Sequence, residues 1–190
     1  MTCDGFSQSH EEFVDQVSRI SGLPLVLARQ TASRIPAALR VTRQVLGGLT
    51  SGMPLEILDS RVGSHNGATV RLVPHIPALG VCLPNNSPGV NVVYLPSVAF
   101  GIPVLIRPGS SEPLTPLRVI LSLIEAGFPK ECFGYYPCDH AASARIPELT
   151  EGAIVFGSEQ TVARYKGNPL VHRHGAGYSK LIIGEDLIED

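Results

Sequence analysis

The chain has 190 residues, 44% of them hydrophobic and 17% charged, with a formal net charge of −2. This composition belongs to a globular protein with chain enough for one good core, and it excludes a disordered polypeptide. The charge gives no electrostatic reason to expect nucleic acid or an anionic membrane as partner.

No apolar run is long enough to span a bilayer, and MTCDGFSQSHEEF lacks the basic start and apolar centre of a signal peptide, so the expected setting is cytoplasmic. Cys3, Cys82, Cys132 and Cys138 form no CxxC pair; they read as free thiols in a reducing compartment, with no metal site.

In chain order, residues 1–48 read as helical. Glu11–Ile20 is one amphipathic segment, and Leu23–Leu46 gives two more, broken at Ile35-Pro36 and ended by Gly47-Gly48. Residues 54–77 read as strands. Leu55–Leu58 alternates weakly, and Asn66-Gly67 is a tight-turn signal before Ala68–Val73. Ala78–Leu83 is a strand that stops at a Pro-Asn-Asn-Ser-Pro-Gly loop, and Val90–Phe100 a helix stopped by Gly101, with Pro96 set to kink or shorten it. Pro103–Arg107 is the next strand. Pro108-Gly109-Ser110-Ser111 is a turn whose serine caps a helix with Leu114, Leu117, Leu121 and Ile124 on its buried face. Cys132–Tyr136, Ala153–Phe156, Leu170–His174 and Lys180–Ile183 are strands, and Ala141–Ile146 and Gln160–Tyr165 helices. Apolar strands alternating with helices imply an α/β fold with a doubly wound, mostly parallel sheet, and such sheets bind ligands where strand ends feed helix starts.

Residues 78–127 carry a more specific signal. Pro84-Asn85-Asn86-Ser87-Pro88, then Val104-Leu105-Ile106-Arg107-Pro108-Gly109-Ser110, Ser111-Glu112-Pro113-Leu114-Thr115-Pro116 and Glu125-Ala126-Gly127-Phe128-Pro129 follow in order. This run resembles the aldehyde dehydrogenase superfamily, with its Pro-Trp-Asn-Phe-Pro, Val-Val-Leu-Lys-Pro-Ser-Glu-x-Thr-Pro and Glu-Ala-Gly-x-Pro. The resemblance extends over about residues 55–186. It implies a Rossmann-like nucleotide-binding domain over 78–190, a helical layer over 1–53, and a β-ribbon over 54–77 that joins subunits into a homo-oligomer.

The resemblance also implies roles. Asn86 matches the asparagine that donates its amide to an oxyanion, an interaction worth about 3 kcal/mol, or else it serves only the loop's turn geometry. Arg107 stands for the lysine that reaches the adenosine ribose of NAD(P). Ser110 stands for the glutamate that binds the ribose hydroxyls, unless Glu112 comes round to replace it. Without that carboxylate NADP is as acceptable as NAD. Pro84, Pro108, Gly157 and Ser158 complete the cofactor set, Val155-Phe156-Gly157-Ser158 matching the family's Phe-Thr-Gly-Ser.

His174 falls where the family has its general-base glutamate, and histidine serves as a base near neutral pH, or else it is a structural or surface histidine. Acyl-CoA reductases of the superfamily lack that glutamate because a thiol, not water, takes the acyl group. The family's nucleophilic cysteine lies in a second domain, whereas only 16 residues follow His174 and none is cysteine. The expectation is therefore the cofactor-binding part of an oxidoreductase acting on an aldehyde or acyl thioester, as a fragment or truncated product that works with a partner catalytic domain. A non-catalytic nucleotide-binding or assembly module and a glutamyl-phosphate-reductase-like fragment are the alternatives.

Overall fold

The structure, a computed structural model, describes residues 2, 3, 6–85, 87–177 and 184. Asn86, the Lys180–Ile183 strand and the tail 185–190 lie outside the described residues. A short antiparallel pair, β1 (Thr2–Cys3) and β2 (Phe6–Ser7), precedes the first helix and has no signature in the pattern of the sequence.

Helix α1 (His10–Ser21) opens with a capping box. Ser9 Oγ accepts from the Glu12 N–H at 3.2 Å, and Glu12 Oε2 accepts from the Ser9 N–H at 2.7 Å. Gly22 ends it in the left-handed region at φ 73°. Helices α2 (Leu25–Ala32) and α3 (Arg34–Leu49) meet at Ser33, not at the expected Ile35-Pro36. Pro36 sits in the first turn of α3, where a missing N–H costs no hydrogen bond. Nor do Gly47-Gly48 end the helix. It continues to Leu49, and Ser51 (φ 53°) and Gly52 (φ 75°) turn the chain out. The buried Thr50, whose hydroxyl donates to Leu46 O at 2.9 Å, anchors this last turn and overrides the glycines' weak helix preference.

Leu55–Leu58 is not a strand: a turn leads into helix α4 (Ile57–Ser60). The ribbon is β3 (Val62–His65) with β4 (Ala68–Arg71), joined through Asn66 (φ 50°) and Gly67 (φ 79°). Positive φ at both turn residues matches the right-handed strand twist.

The sheet has five parallel strands, β5 (Ala78–Cys82), β6 (Val104–Arg107), β7 (Phe133–Tyr135), β8 (Glu151–Phe156) and β9 (Val171–His174), in the order β7-β6-β5-β8-β9. Successive side chains alternate between two cores. Leu79, Val81, Leu83, Val104, Ile106 and Ile154 face one cluster, with α3, α5 (Leu95–Ala99) and α6 (Leu114–Glu125) over it. Cys82, Leu105, Ala153, Val155 and Val171 face the other, under α8 (Arg145–Thr150). Gly80 permits this second layer, because a Cβ there would lie 2.6 Å from Thr150 Oγ1 and 2.8 Å from Ile146. The fold is the doubly wound α/β arrangement that the alternation of strands and helices implies.

Three helices differ from their sequence reading. Residues 90–100 split into a 3₁₀ turn, Pro88–Val92, and α5, because Pro96 belongs in a helix's first turn rather than its middle. The expected Ala141–Ile146 helix is two pieces, α7 (His140–Ser143) and α8. In α6 the buried residues are Thr115, Pro116, Val119 and Ile120 rather than the leucine stripe, since this helix touches two cores: Leu114 packs on the N-terminal helices, Leu123 and Ile124 on the sheet. No loop serine caps it. The Glu112 carboxylate does so, accepting from Thr115 N–H at 2.9 Å and Thr115 Oγ1 at 2.8 Å.

Candidate functional site

The chain order of the strands reverses direction between β5 and β8, the first and fourth of the sheet. A crevice forms at the carboxyl edge of such a switch point, because the two following loops leave toward opposite faces. Here those loops begin at Leu83 and Gly157. They flank a cleft of about 540 Å³ that has Cys82, Arg107 and Val155 as floor and residues of α7 and α9 (Glu159–Ala163) as far wall. A second hollow of about 670 Å³ shares Pro84, Asn85, Phe156 and Gly157 with it and runs on to His174 and Gly175–Gly177.

Arg107 is the buried cation of the site, 5% exposed. It is the last residue of β6 and the register partner of Cys82. One Nη2 donates to Ser110 Oγ at 3.1 Å and to the Cys138 carbonyl at 3.3 Å. Its Nε–H is buried and has no hydrogen-bond partner among the described residues. Arg107 and Ser110 are thus brought together as a pair, and Pro108 is buried beside them. Glu112 does not come round to them: it is 3% exposed and spent on capping α6. Burial raises its carboxyl above the ordinary value, against the two bonds from Thr115.

On the opposite lip, Ser158 begins α9. Its hydroxyl accepts from Thr161 N–H at 3.3 Å and lies 3.0 Å from Thr161 Oγ1. Gly157 is needed because a Cβ there would meet the Thr161 side chain at 2.8 Å. Ser158 is therefore the expected cap, on a helix of a single turn.

His174 is the register partner of Phe156, and the two rings stack with centroids 4.4 Å apart and planes 15° from parallel. The strand alternation puts both on the same face. His174 O accepts from Gly157 N–H at 3.1 Å, which ties β9 to the lip of the cleft. The ring is exposed.

Several residues in the cleft were given no role from the sequence: Cys82, which its place in a strand marked only as buried, and His140, Ser143, Arg164 and Tyr165. They come from three separated segments, and only the crossover of α7 and α9 over the sheet brings them together. Cys82 is the one with a readable signal, as the last residue of a strand. Its thiol is pushed up to about 11, chiefly by burial, with the opposing pull of Arg107 the smaller effect. Burial likewise raises the Tyr165 phenol.

The same fold occurs in solved structures. A NAD-dependent benzaldehyde dehydrogenase from Corynebacterium glutamicum superposes with a TM-score of 0.61 at 18% identity, over 86% of this chain and 36% of that one. A protein from Burkholderia cenocepacia assigned to the aldehyde dehydrogenases gives 0.66 at 23% identity, over 88% and 35%. A succinate-semialdehyde dehydrogenase from Burkholderia pseudomallei gives 0.60 at 17%, over 81% and 32%.

The fold is that of the aldehyde dehydrogenases.

The chain spans about a third of the length of these structures. No protein-family model and no curated protein sequence matches it. Within the aldehyde dehydrogenase fold, the switch-point cleft is formed here by Pro84, Arg107, Gly157 and Ser158 together, while Asn86 lies outside the described residues. Among the described residues there is no group of three or more metal-ligating side chains, and no helix is long and apolar enough to cross a membrane.

Proposed function

We propose that this chain belongs to the aldehyde dehydrogenase superfamily and supplies the NAD(P)-binding part of an aldehyde dehydrogenase or acyl-CoA reductase type of oxidoreductase. The observation that carries the reading is the cleft at the switch point, whose described lining residues include Arg107 and Arg164 and no acidic side chain. A pyrophosphate-bearing nucleotide suits such a lining. The Arg107 Nε–H, buried beneath the cleft floor, has no hydrogen-bond partner among the described residues.

When bound, NAD(P) supplies the hydride acceptor or donor. The chain's own residues bind and orient it. Arg107, pre-set by Ser110 and the Cys138 carbonyl, meets the ribose or its 2′-phosphate. The buried Glu112 leaves that corner without a carboxylate, which favours acceptance of NADP beside NAD. Gly157 and Ser158 offer backbone at the pyrophosphate. His174, held flat on Phe156, stands at the far hollow as the candidate base, and Asn86 is the candidate oxyanion donor. The substrate in this reading is an aldehyde or acyl thioester. The 54–77 ribbon joins copies of the chain or a partner catalytic domain, in the cytoplasm.

Calorimetric titration with NAD, NADP and their reduced forms tests this. The expected result is binding of at least one form, weakened about tenfold or more by Arg107→Ala in a variant whose circular dichroism is unchanged, as for the loss of a charge-assisted contact. Absence of any heat at millimolar nucleotide sinks the cofactor reading. It leaves the second reading, a module that assembles without catalysis. One observation favours that alternative: Cys82, the cysteine on the floor of the cleft, is held as an un-ionised thiol and is a poor nucleophile at neutral pH.

A further inference from the structure

The loops that follow β5 and β6 are interlocked. The sheet ladder does not stop at the strand ends, since Leu83 N–H donates to Arg107 O at 2.9 Å. Beyond it, Gly109 is buried against the neighbouring backbone. A Cβ at Gly109 would lie 2.2 Å from Pro84 O and 2.7 Å from Asn85 Oδ1. No side chain fits there unless the Pro84 carbonyl retreats by about 1 Å, against the close packing of protein interiors. The same Asn85 Oδ1 accepts from Ser111 N–H at 3.1 Å. The loop after β6 is fastened at its other positions too. Arg107 holds Ser110, Glu112 N–H donates to Gly109 O at 3.3 Å, and Glu112 caps α6.

The geometry points to a clasp: Gly109 and Asn85 are positioning residues that lock Pro84-Asn85, at the end of β5, to the loop after β6 as one preformed wall of the cleft, so that nucleotide meets fixed backbone instead of segments that must first order. The consequence for nucleotide affinity rests on the cofactor reading above; the clasp itself does not. Preorganisation raises affinity by removing the ordering cost from the binding step, and a misplacement of about 1 Å in a positioning element is costly at such sites.

Two readouts on the full chain test it: amide hydrogen exchange at Ser111, and calorimetric titration with NAD and NADP. The Ser111 amide is expected to be protected, with protection falling about tenfold in Asn85→Ala and retained in Asn85→Asp, which keeps the acceptor. Nucleotide affinity is expected to fall about tenfold in Gly109→Ala, and in Asn85→Ala should the first variant fail to fold. A Ser111 amide that exchanges freely in the wild-type chain overturns the clasp. So does nucleotide affinity unchanged in both variants. A wild-type chain that binds neither nucleotide sinks the cofactor reading alone, and the exchange result then decides the clasp.

Discussion

At the scale of single residues, the chain concentrates its unusual chemistry where charge is buried. Cys82 sits against Arg107, yet burial outweighs the cation and lifts the thiol to about 11. The expected outcome of alkylating the native chain at pH 8 is slow labelling of Cys82 relative to the half-buried Cys132 and Cys138, measured by peptide mass spectrometry. Glu112 gives a pH prediction. Its carboxyl is raised from the ordinary 4.5 by burial, so the protonated form is the one the fold favours. Its contribution to stability is full below 4.5 and is lost as pH rises through the raised value. Glu112→Gln keeps an acceptor for Thr115 and removes the titration. Urea unfolding against pH is expected to show the variant gaining on the wild type above 4.5. Tyr94 is fully buried, and its hydroxyl donates to Asn91 Oδ1 at 3.1 Å while Asn91 Nδ2 donates to Pro88 O at 3.0 Å. Tyr94→Phe leaves a buried acceptor unpaired, with an expected loss of about 1–3 kcal/mol in the same assay.

At the scale of elements, position within the sheet dictates what each strand tolerates. β5 is central, paired with β6 on one side and β8 on the other. Gly80 in its middle lets α8 lie directly on the sheet, since a Cβ there meets Ile146 and Thr150. Gly80→Val is expected to cost about 1–3 kcal/mol by overpacking, read as a lowered thermal midpoint. The alternation that sends Val81 to one core and Cys82 to the other was legible in the sequence as an apolar run, and so were the parallel pairing and the turn at Asn66-Gly67. The expected break at Ile35-Pro36, the single helix over 90–100 and the leucine face of α6 were not. In each, proline position or a second packing surface outweighed local periodicity, and neither is visible in a window of a few residues.

At the scale of the whole molecule, an N-terminal helical layer with its own small core of Phe13, Val14, Val17, Ala28 and Ala32 docks on the α/β unit. Arg118 of α6 binds it, its guanidinium 4.5 Å over the Phe13 ring and donating to Gln8 Oε1 at 2.6 Å. Arg61, in the left-handed region at φ 61°, donates to Phe100 O at 3.0 Å and ties the root of the ribbon to the C-terminal end of α5. If the cleft binds NAD(P), mass action stabilises the assembled chain. At one hundred times Kd the gain is about 2.7 kcal/mol, visible as a rise in thermal midpoint.

What the sequence by itself determined is the class of fold and the order of its loops. Strand, loop and helix are local patterns, and the Pro-Asn-Asn-Ser-Pro and Arg-Pro-Gly-Ser runs mark the strand ends that face the cleft. Only the tertiary structure decided what those runs do to one another. Glu112 turned inward to α6, Gly109 passed beneath the Pro84 carbonyl, and His174 settled on Phe156 through sheet register. The last two contacts, with the Asn85–Ser111 bond, join residues 18 to 26 positions apart through backbone contact and cross-strand pairing, and no local pattern encodes where such partners meet.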